Sequence, residues 1–111
     1  MHITVSDLLR VMLFSSVAMA DLHTSCTCHN GDSYNWRMTT LACTSYDEAK
    51  YQWGGAVYDT PSGRCTQRTD ADRIAGDQWE EACQKIAKAG FQCVDGKGTC
   101  YADPASVRGS C

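Results

Sequence analysis

The sequence predicts an α+β fold, a small disulfide-rich sandwich in which an antiparallel sheet carries two helices packed on one face. Three observations lead to this fold class. All eight cysteines fall after residue 20, two segments repeat apolar residues with a helical period, and turn-forming residues separate short runs typical of strands. With 111 residues, the chain has room for one domain.

Residues 1–20 differ in character from the rest of the chain. A short apolar run precedes Ala18 and Ala20, whose small side chains fit a signal-peptidase cleavage site. Polar residues interrupt this run before it reaches the length of about 18 residues that a membrane span requires. We therefore predict a signal peptide at 1–20, a single disulfide-stapled mature domain at 21–111, and an extracellular location. The alternative is a buried N-terminal helix.

An even number of cysteines in a small exported chain is typical of a disulfide framework. Eight cysteines admit about 105 pairings, and their spacing does not choose among them. Cys26, Cys28 and His29 offer three soft ligands to a metal, but a single CxC without a second ligand cluster is weak evidence for zinc. We expect four disulfides, no metal and no cofactor. The cysteines are Cys26, Cys28, Cys43, Cys65, Cys83, Cys93, Cys100 and Cys111.

Two helices and several strands follow one another after residue 20. The first helix is predicted from Ser33 or Tyr34 to Tyr46, and the second from Asp77 to Ala89, where apolar residues recur at helical spacing. The strands are predicted at 22–29, in a hairpin of 56–58 with 64–68, and in a second hairpin of 91–94 with 99–102. The order is therefore strand, helix, hairpin, helix, hairpin.

The two halves of this order resemble each other. Each helix carries an Ala-Cys step, at Cys43 and at Cys83, with a tryptophan upstream. Two such strand–helix–strand units would merge their strands into one antiparallel sheet, with helix cysteines bonded to strand cysteines. At the second helix, Asp77 with Glu80 predicts an N-terminal cap, and Gly90 predicts the C-terminal cap.

Several short motifs together resemble fungal small secreted cysteine-rich proteins of the candidate-effector type. They are the early CxC, the segment Thr-Leu-Ala-Cys43, the segment Gly-Arg-Cys65, and residues 73–83 at the start of the second helix. The resemblance implies export from a fungus, action on a host or competitor, a part in virulence and a killer-toxin-like α/β sandwich. Killer toxins are matured at dibasic sites, and this sequence contains none.

Charge and the placement of titratable residues argue against catalysis and against several partners. A net charge of −3 provides no basic surface for nucleic acid and disfavours lysis of membranes by a cationic protein. His23 and His29 are predicted to be surface imidazoles, and Glu80 and Glu81 point about 100° apart on a helix, which excludes a glycosidase pair. We predict a monomeric, non-enzymatic protein without membrane insertion. The alternatives are a small secreted hydrolase or toxin such as a ribonuclease, and an antimicrobial protein.

Four aromatic residues cluster around Gly54 and Gly55 in the sequence. Rings of this kind stack on sugars or anchor protein partners, which makes them the candidate recognition surface for a host or microbial protein or glycan whose identity the sequence does not give. The alternative is that the rings cover the sheet of a protein with few aliphatic residues. The four residues are Tyr46, Tyr51, Trp53 and Tyr58.

Overall fold

A computed structural model describes residues 21–111, so the predicted signal peptide at 1–20 lies outside the described residues. Within 21–111, short strands alternate with two α-helices and one 3-10 helix. In chain order these are β1 (Leu22–His23), β2 (Ser25–Asn30), β3 (Ser33–Tyr34), α1 (Trp36–Glu48), β4 (Ala56–Asp59), β5 (Arg64–Gln67), β6 (Ile74–Ala75), α2 (Gly76–Ala89), β7 (Phe91–Gln92), β8 (Thr99–Cys100), the 3-10 helix (Pro104–Ser106) and β9 (Val107–Ser110).

The central sheet has five antiparallel strands, and β2 lies at its middle. One edge of β2 pairs with β9, while the other pairs first with β5 and then with β3. Strand β4 completes the sheet beside β5. Strands β2, β4, β5 and β9 thus form two interleaved β-α-β units, and both helices contact β2 and each other. The predicted α+β architecture is confirmed.

Helix α1 begins later than the sequence predicts. Ser33 and Tyr34 pair with β2 as strand β3, and the side chain of Asn35 then caps the helix by accepting a hydrogen bond from the Met38 amide at 2.9 Å. In the gap between β5 and β3, the hydroxyl of Thr39 on α1 accepts the amide hydrogen of Cys28 at 2.9 Å. This bond explains why a threonine is fully buried on α1.

Helix α2 lies within one residue of its predicted bounds, but the predicted N-terminal cap is wrong. The capping position is Ala75, which makes no side-chain cap, because residues 74–75 are held extended as β6 against β1. Asp77 therefore lies inside the first turn, where its charge favours the positive end of the helix dipole. Gly90 ends the helix at a φ of 111° and donates its amide hydrogen to the Ile86 carbonyl, as predicted.

The first predicted hairpin forms as β4 and β5, with Cys65 on its second strand. The second hairpin forms as β7 and β8, but these strands make a separate two-stranded sheet. The strand that the second unit adds to the central sheet is β9, where the sequence predicts no strand. Strands β1 and β6 also pair apart from the central sheet, so not all strands merge into one.

All eight cysteines pair, and two of the bonds join a helix to a strand as predicted. Cys28 on β2 bonds Cys83 on α2, and Cys43 on α1 bonds Cys65 on β5. A further bond closes the β7–β8 hairpin, and another joins β2 to residue 111. Five of the cysteines lie in the same buried core as the largest buried side chains. The cysteines are Cys26, Cys28, Cys43, Cys65 and Cys83, and the large side chains are Trp79, Tyr46, Met38, Ile74 and Val107.

Candidate functional site

The loop that joins α1 to β4 carries two neighbouring aromatic rings. Tyr51 and Trp53 are half-buried, and their ring centroids lie 5.8 Å apart. Just before them, Lys50 has a φ of 55°, a backbone conformation that residues other than glycine rarely adopt. Such strain persists where the surrounding structure holds the chain in one conformation, so the two rings stand on a defined loop.

The four aromatic residues predicted as one surface do not stay together. Tyr46 is only 1% exposed, and its hydroxyl accepts the Ala75 amide hydrogen at 2.9 Å in the core. It supports Tyr51 from beneath, at 4.9 Å between ring centroids, and is not part of the surface. Tyr58 lies on β4, where its hydroxyl is 3.5 Å from that of Tyr34. Tyr51 and Trp53 are the members that remain adjacent at the surface.

A polar cleft of about 420 Å³ opens beside Tyr51. It collects charged side chains from two stretches that are distant in sequence, 47–50 and 68–72, together with backbone of the loop. We call it the Tyr51 cleft. Its lining residues are Asp47, Lys50, Tyr51, Gly54, Gly55, Arg68 and Asp72.

An ion pair forms one wall of the Tyr51 cleft. Arg68 Nη2 donates to Asp47 Oδ2 at 3.0 Å and to the Ala56 carbonyl at 3.1 Å. The pKa of Asp47 is lowered, chiefly because the Ala56 amide donates a hydrogen bond to its carboxylate and further because of Arg68. The Arg68 side chain remains about half exposed, so its guanidinium is fixed in place and still accessible to a ligand.

Two glycines allow the loop to pack against the carboxylates. A Cβ atom at Gly55 would lie 2.6 Å from Asp47 Oδ1, and one at Gly54 would collide with the Asp72 carboxylate. Gly54 also has a φ of 114°, which side chains disfavour. Glycine at both positions therefore allows the carboxylates of Asp47 and Asp72 to lie against the loop. The floor of the cleft stays open as a result.

The Tyr51 cleft offers binding groups and no assembled reaction centre. Lys50 and Arg68 supply hydrogen-bond donors, Asp72 supplies acceptor oxygens, and Tyr51 supplies an apolar ring face. Sugar hydroxyls both donate and accept, so a polyhydroxylated ligand matches this mixture. Lys50, Arg68 and Asp72 were missed by sequence reasoning, although the adjacent glycine pair was a signal that the backbone there approaches other groups closely.

The histidines that a hydrolase would need have different partners. His23 lies on β1, with Nε2 at 3.2 Å from an Asp21 oxygen. His29 lies on β2, with Nε2 at 3.0 Å from the Thr27 hydroxyl. Strands β1 and β2 belong to different sheets, and the two imidazoles have different side-chain partners.

The cysteines and acids considered as metal ligands or catalytic groups have structural partners. Cys26 and Cys28 are committed to disulfides, and residues 21–111 contain no group of three or more potential metal-ligating side chains. Glu80 accepts the Gly109 amide hydrogen at 3.2 Å and so links α2 to β9. Its carboxylate is engaged in packing the sheet edge onto the helix.

The chain finds no match among protein-family models, curated proteins or solved structures. Within the part of the chain that the structure describes, no helix has the length and apolar character needed to cross a bilayer.

Proposed function

We propose that this protein is a secreted, non-enzymatic recognition protein that binds a host or competitor component outside the cell through the Tyr51 cleft. The observation that carries the proposal is the cleft itself, in which the half-buried ring of Tyr51, with Trp53 beside it, adjoins fixed charged groups. The ligand is a glycan or a protein surface of matching polarity, and the protein acts as a monomer.

The covalent framework supports the extracellular part of the proposal. Four disulfides cross-link residues 21–111, and such a density is typical of small domains in oxidising compartments. The resemblance to fungal candidate effectors, with the killer-toxin-like sandwich it implies, agrees with this location. We infer an effector role in virulence from that resemblance together with the cleft.

The chemistry of the cleft supports binding by stacking and hydrogen bonding. Aromatic anchors beside polar groups are typical of binding hot spots, because the rings lose little conformational entropy and exclude water from the bonds around them. Here the Asp47–Arg68 pair and the two glycines fix the site before a ligand arrives. A site that is ordered in advance loses less free energy on binding.

Alanine substitution of the aromatic pair tests the proposal. Purified, oxidised protein is assayed against arrayed cell-wall glycans and against extracellular host proteins. Trp53→Ala and Tyr51→Ala should each weaken the wild-type interaction by about tenfold, or about 1.4 kcal/mol. Tyr101→Ala is the matched control, because Tyr101 is 65% exposed and lies outside the cleft.

Thermal unfolding of each variant separates binding from stability. The melting temperature of Trp53→Ala should stay within a few degrees of the wild type. Tyr51 packs against the buried core, so Tyr51→Ala should melt at a lower temperature, and its binding is measured well below its melting transition. If binding survives both substitutions, or is lost only in proportion to stability, the cleft is not the recognition site.

A hydrolase remains the competing function, and the different structural partners of His23 and His29 favour binding over it. Incubation of the protein with RNA and with cell-wall glycans decides between them. We expect no turnover. Turnover that disappears in the His23→Ala/His29→Ala double variant would replace the recognition proposal with a catalytic one.

A further inference from the structure

The face of the central sheet that points away from the helices carries a row of three side chains. Cys28 of β2 bonds helix α2, so the alternate residue His29 points to the opposite face. Arg108 on β9 and Tyr34 on β3 lie directly opposite His29 in the strand register, one on each side. Side chains opposite each other in antiparallel strands are about 5 Å apart at Cβ. We call these three residues the Arg108 row.

The imidazole of His29 is held in one orientation by its own strand. The Thr27 hydroxyl donates its hydrogen to the Ser110 carbonyl at 3.3 Å and lies 3.0 Å from His29 Nε2. Because the hydroxyl proton is used in this way, the bond to His29 requires that Nε2 carry the hydrogen. Tyr34 packs edge-on against the imidazole, with centroids 5.9 Å apart. Within residues 21–111, Nδ1 has no hydrogen-bond partner and remains available.

The guanidinium of Arg108 is fixed by backbone. Its Nη1 donates to the Ala105 carbonyl at 2.8 Å and to the Val107 carbonyl at 3.1 Å. Among the described residues, Nε and Nη2 have no hydrogen-bond partner, and Arg108 is exposed. These are the hydrogens that an arginine presents to an oxyanion in bidentate geometry.

Arg108 makes no ion pair with a carboxylate among the described residues. The ion pairs found within 21–111 are His23 with Asp21 and Arg68 with Asp47, and neither involves the Arg108 row. The neighbouring Arg64 on the same face donates to Ser25. Asp59 lies opposite Arg64 in the strand register and accepts the Ser62 amide hydrogen. Arg108 is thus a cationic group without a carboxylate partner on the open sheet face of a protein of net charge −3.

We propose that the Arg108 row binds a tetrahedral oxyanion, namely a phosphate or sulfate ester group. Arg108 supplies two N–H donors, and the rings of His29 and Tyr34 border the site on one side. The hydroxyl of Tyr34 is directed to the Gly63 carbonyl, so its contribution is the ring. This site lies on the sheet and is independent of the Tyr51 cleft.

Titration with inorganic phosphate and inorganic sulfate, followed by backbone amide shifts, tests the proposal. Shifts should concentrate at residues 27–29 and 107–110, with saturation at millimolar anion. Arg108→Gln should weaken binding at least fivefold. Arg73→Gln is the matched control, because Nη1 of Arg73 also donates to two backbone carbonyls, and it should leave the affinity unchanged.

Two polysaccharide probes distinguish the sources of the oxyanion. Heparin is compared with desulfated heparin, and a phosphorylated mannan with its dephosphorylated form, at several salt concentrations. Loss of binding on removal of the sulfate or of the phosphate identifies which ester the row accepts. Equal weakening by Arg108→Gln and Arg73→Gln, or amide shifts spread outside the row, would show that the row binds no oxyanion.

Discussion

Removal of the disulfide between Cys28 and Cys83 should cost more stability than removal of any short cross-link. This bond joins β2 to α2 across 55 residues, and both cysteines are fully buried. In the chain-entropy model, a loop of this length is worth about 4 kcal/mol, and the other bonds shorten the effective loop enough to lower this to about 3 kcal/mol. Loss of buried sulfur atoms adds about 1 kcal/mol through the cavity left behind.

The hairpin disulfide Cys93–Cys100 is the matched comparison. It closes only 7 residues, which gives about 2 kcal/mol, and its cysteines are only half-buried. Replacing each pair by alanine changes the same atoms, so the Cys28/Cys83 variant should be less stable by about 2 kcal/mol. For a domain of this size, the difference corresponds to a melting temperature lower by at least roughly 8 °C.

Urea and thermal unfolding followed by circular dichroism measure the difference, and intact mass with an alkylating reagent verifies that three disulfides remain in each variant. Equal destabilisation of the two variants, or a larger loss from the hairpin pair, would refute the assignment of stability to the long cross-link between sheet and helix.

Three further predictions concern the core and the Tyr51 cleft. Tyr46→Phe removes the acceptor for the buried Ala75 amide and should lower the free energy of unfolding in urea by about 1 to 3 kcal/mol. Asp47→Asn should lower the melting temperature at neutral pH; because the folded pKa of Asp47 is lowered, this difference should shrink as the pH falls below 3.8. Gly55→Ala places a Cβ against the Asp47 carboxylate and should destabilise the protein by about 1 to 3 kcal/mol in chemical unfolding. If Gly55→Ala unfolds with the same midpoint as the wild type, the loop can move to accommodate the added Cβ and the reasoning is wrong.

Local patterns in the sequence were sufficient where a segment's neighbours in the chain determine its structure. Helix α2 was predicted to within one residue because its apolar stripe and Gly90 are local signals. Strand β9 was missed because Val107–Ser110 has no repeating apolar pattern and becomes extended only by pairing with β2 and through the Cys26–Cys111 bond. The predicted N-terminal cap of α2 was wrong because of a tertiary contact as well, since β1 holds residues 74–75 extended.

The candidate site was predicted only in part for a related reason. Tyr51 and Trp53 lie on one loop, and their proximity in sequence was enough to find them. Arg68 and Asp72 enter the cleft because β5 and the segment after it return past the loop, which is a tertiary arrangement. Tyr46 is a tyrosine like Tyr51 and lies close to it in the sequence, but its position on α1 places its side chain in the core.

The two proposed sites should act independently, because the Tyr51 cleft is built from α1 and the loops while the Arg108 row lies on the open face of the sheet. Substitutions without shared partners usually have additive free energies. A Trp53→Ala/Arg108→Gln double variant should therefore lose phosphate binding as the Arg108→Gln variant does, and lose partner binding as the Trp53→Ala variant does. A single partner that carries an ester group could instead contact both sites at once. Its affinity for the double variant should then be lower than its affinity for either single variant, since linked contacts raise the effective concentration of the second group. Isothermal titration of the four proteins with one glycan or protein partner distinguishes two separate activities from one extended binding surface.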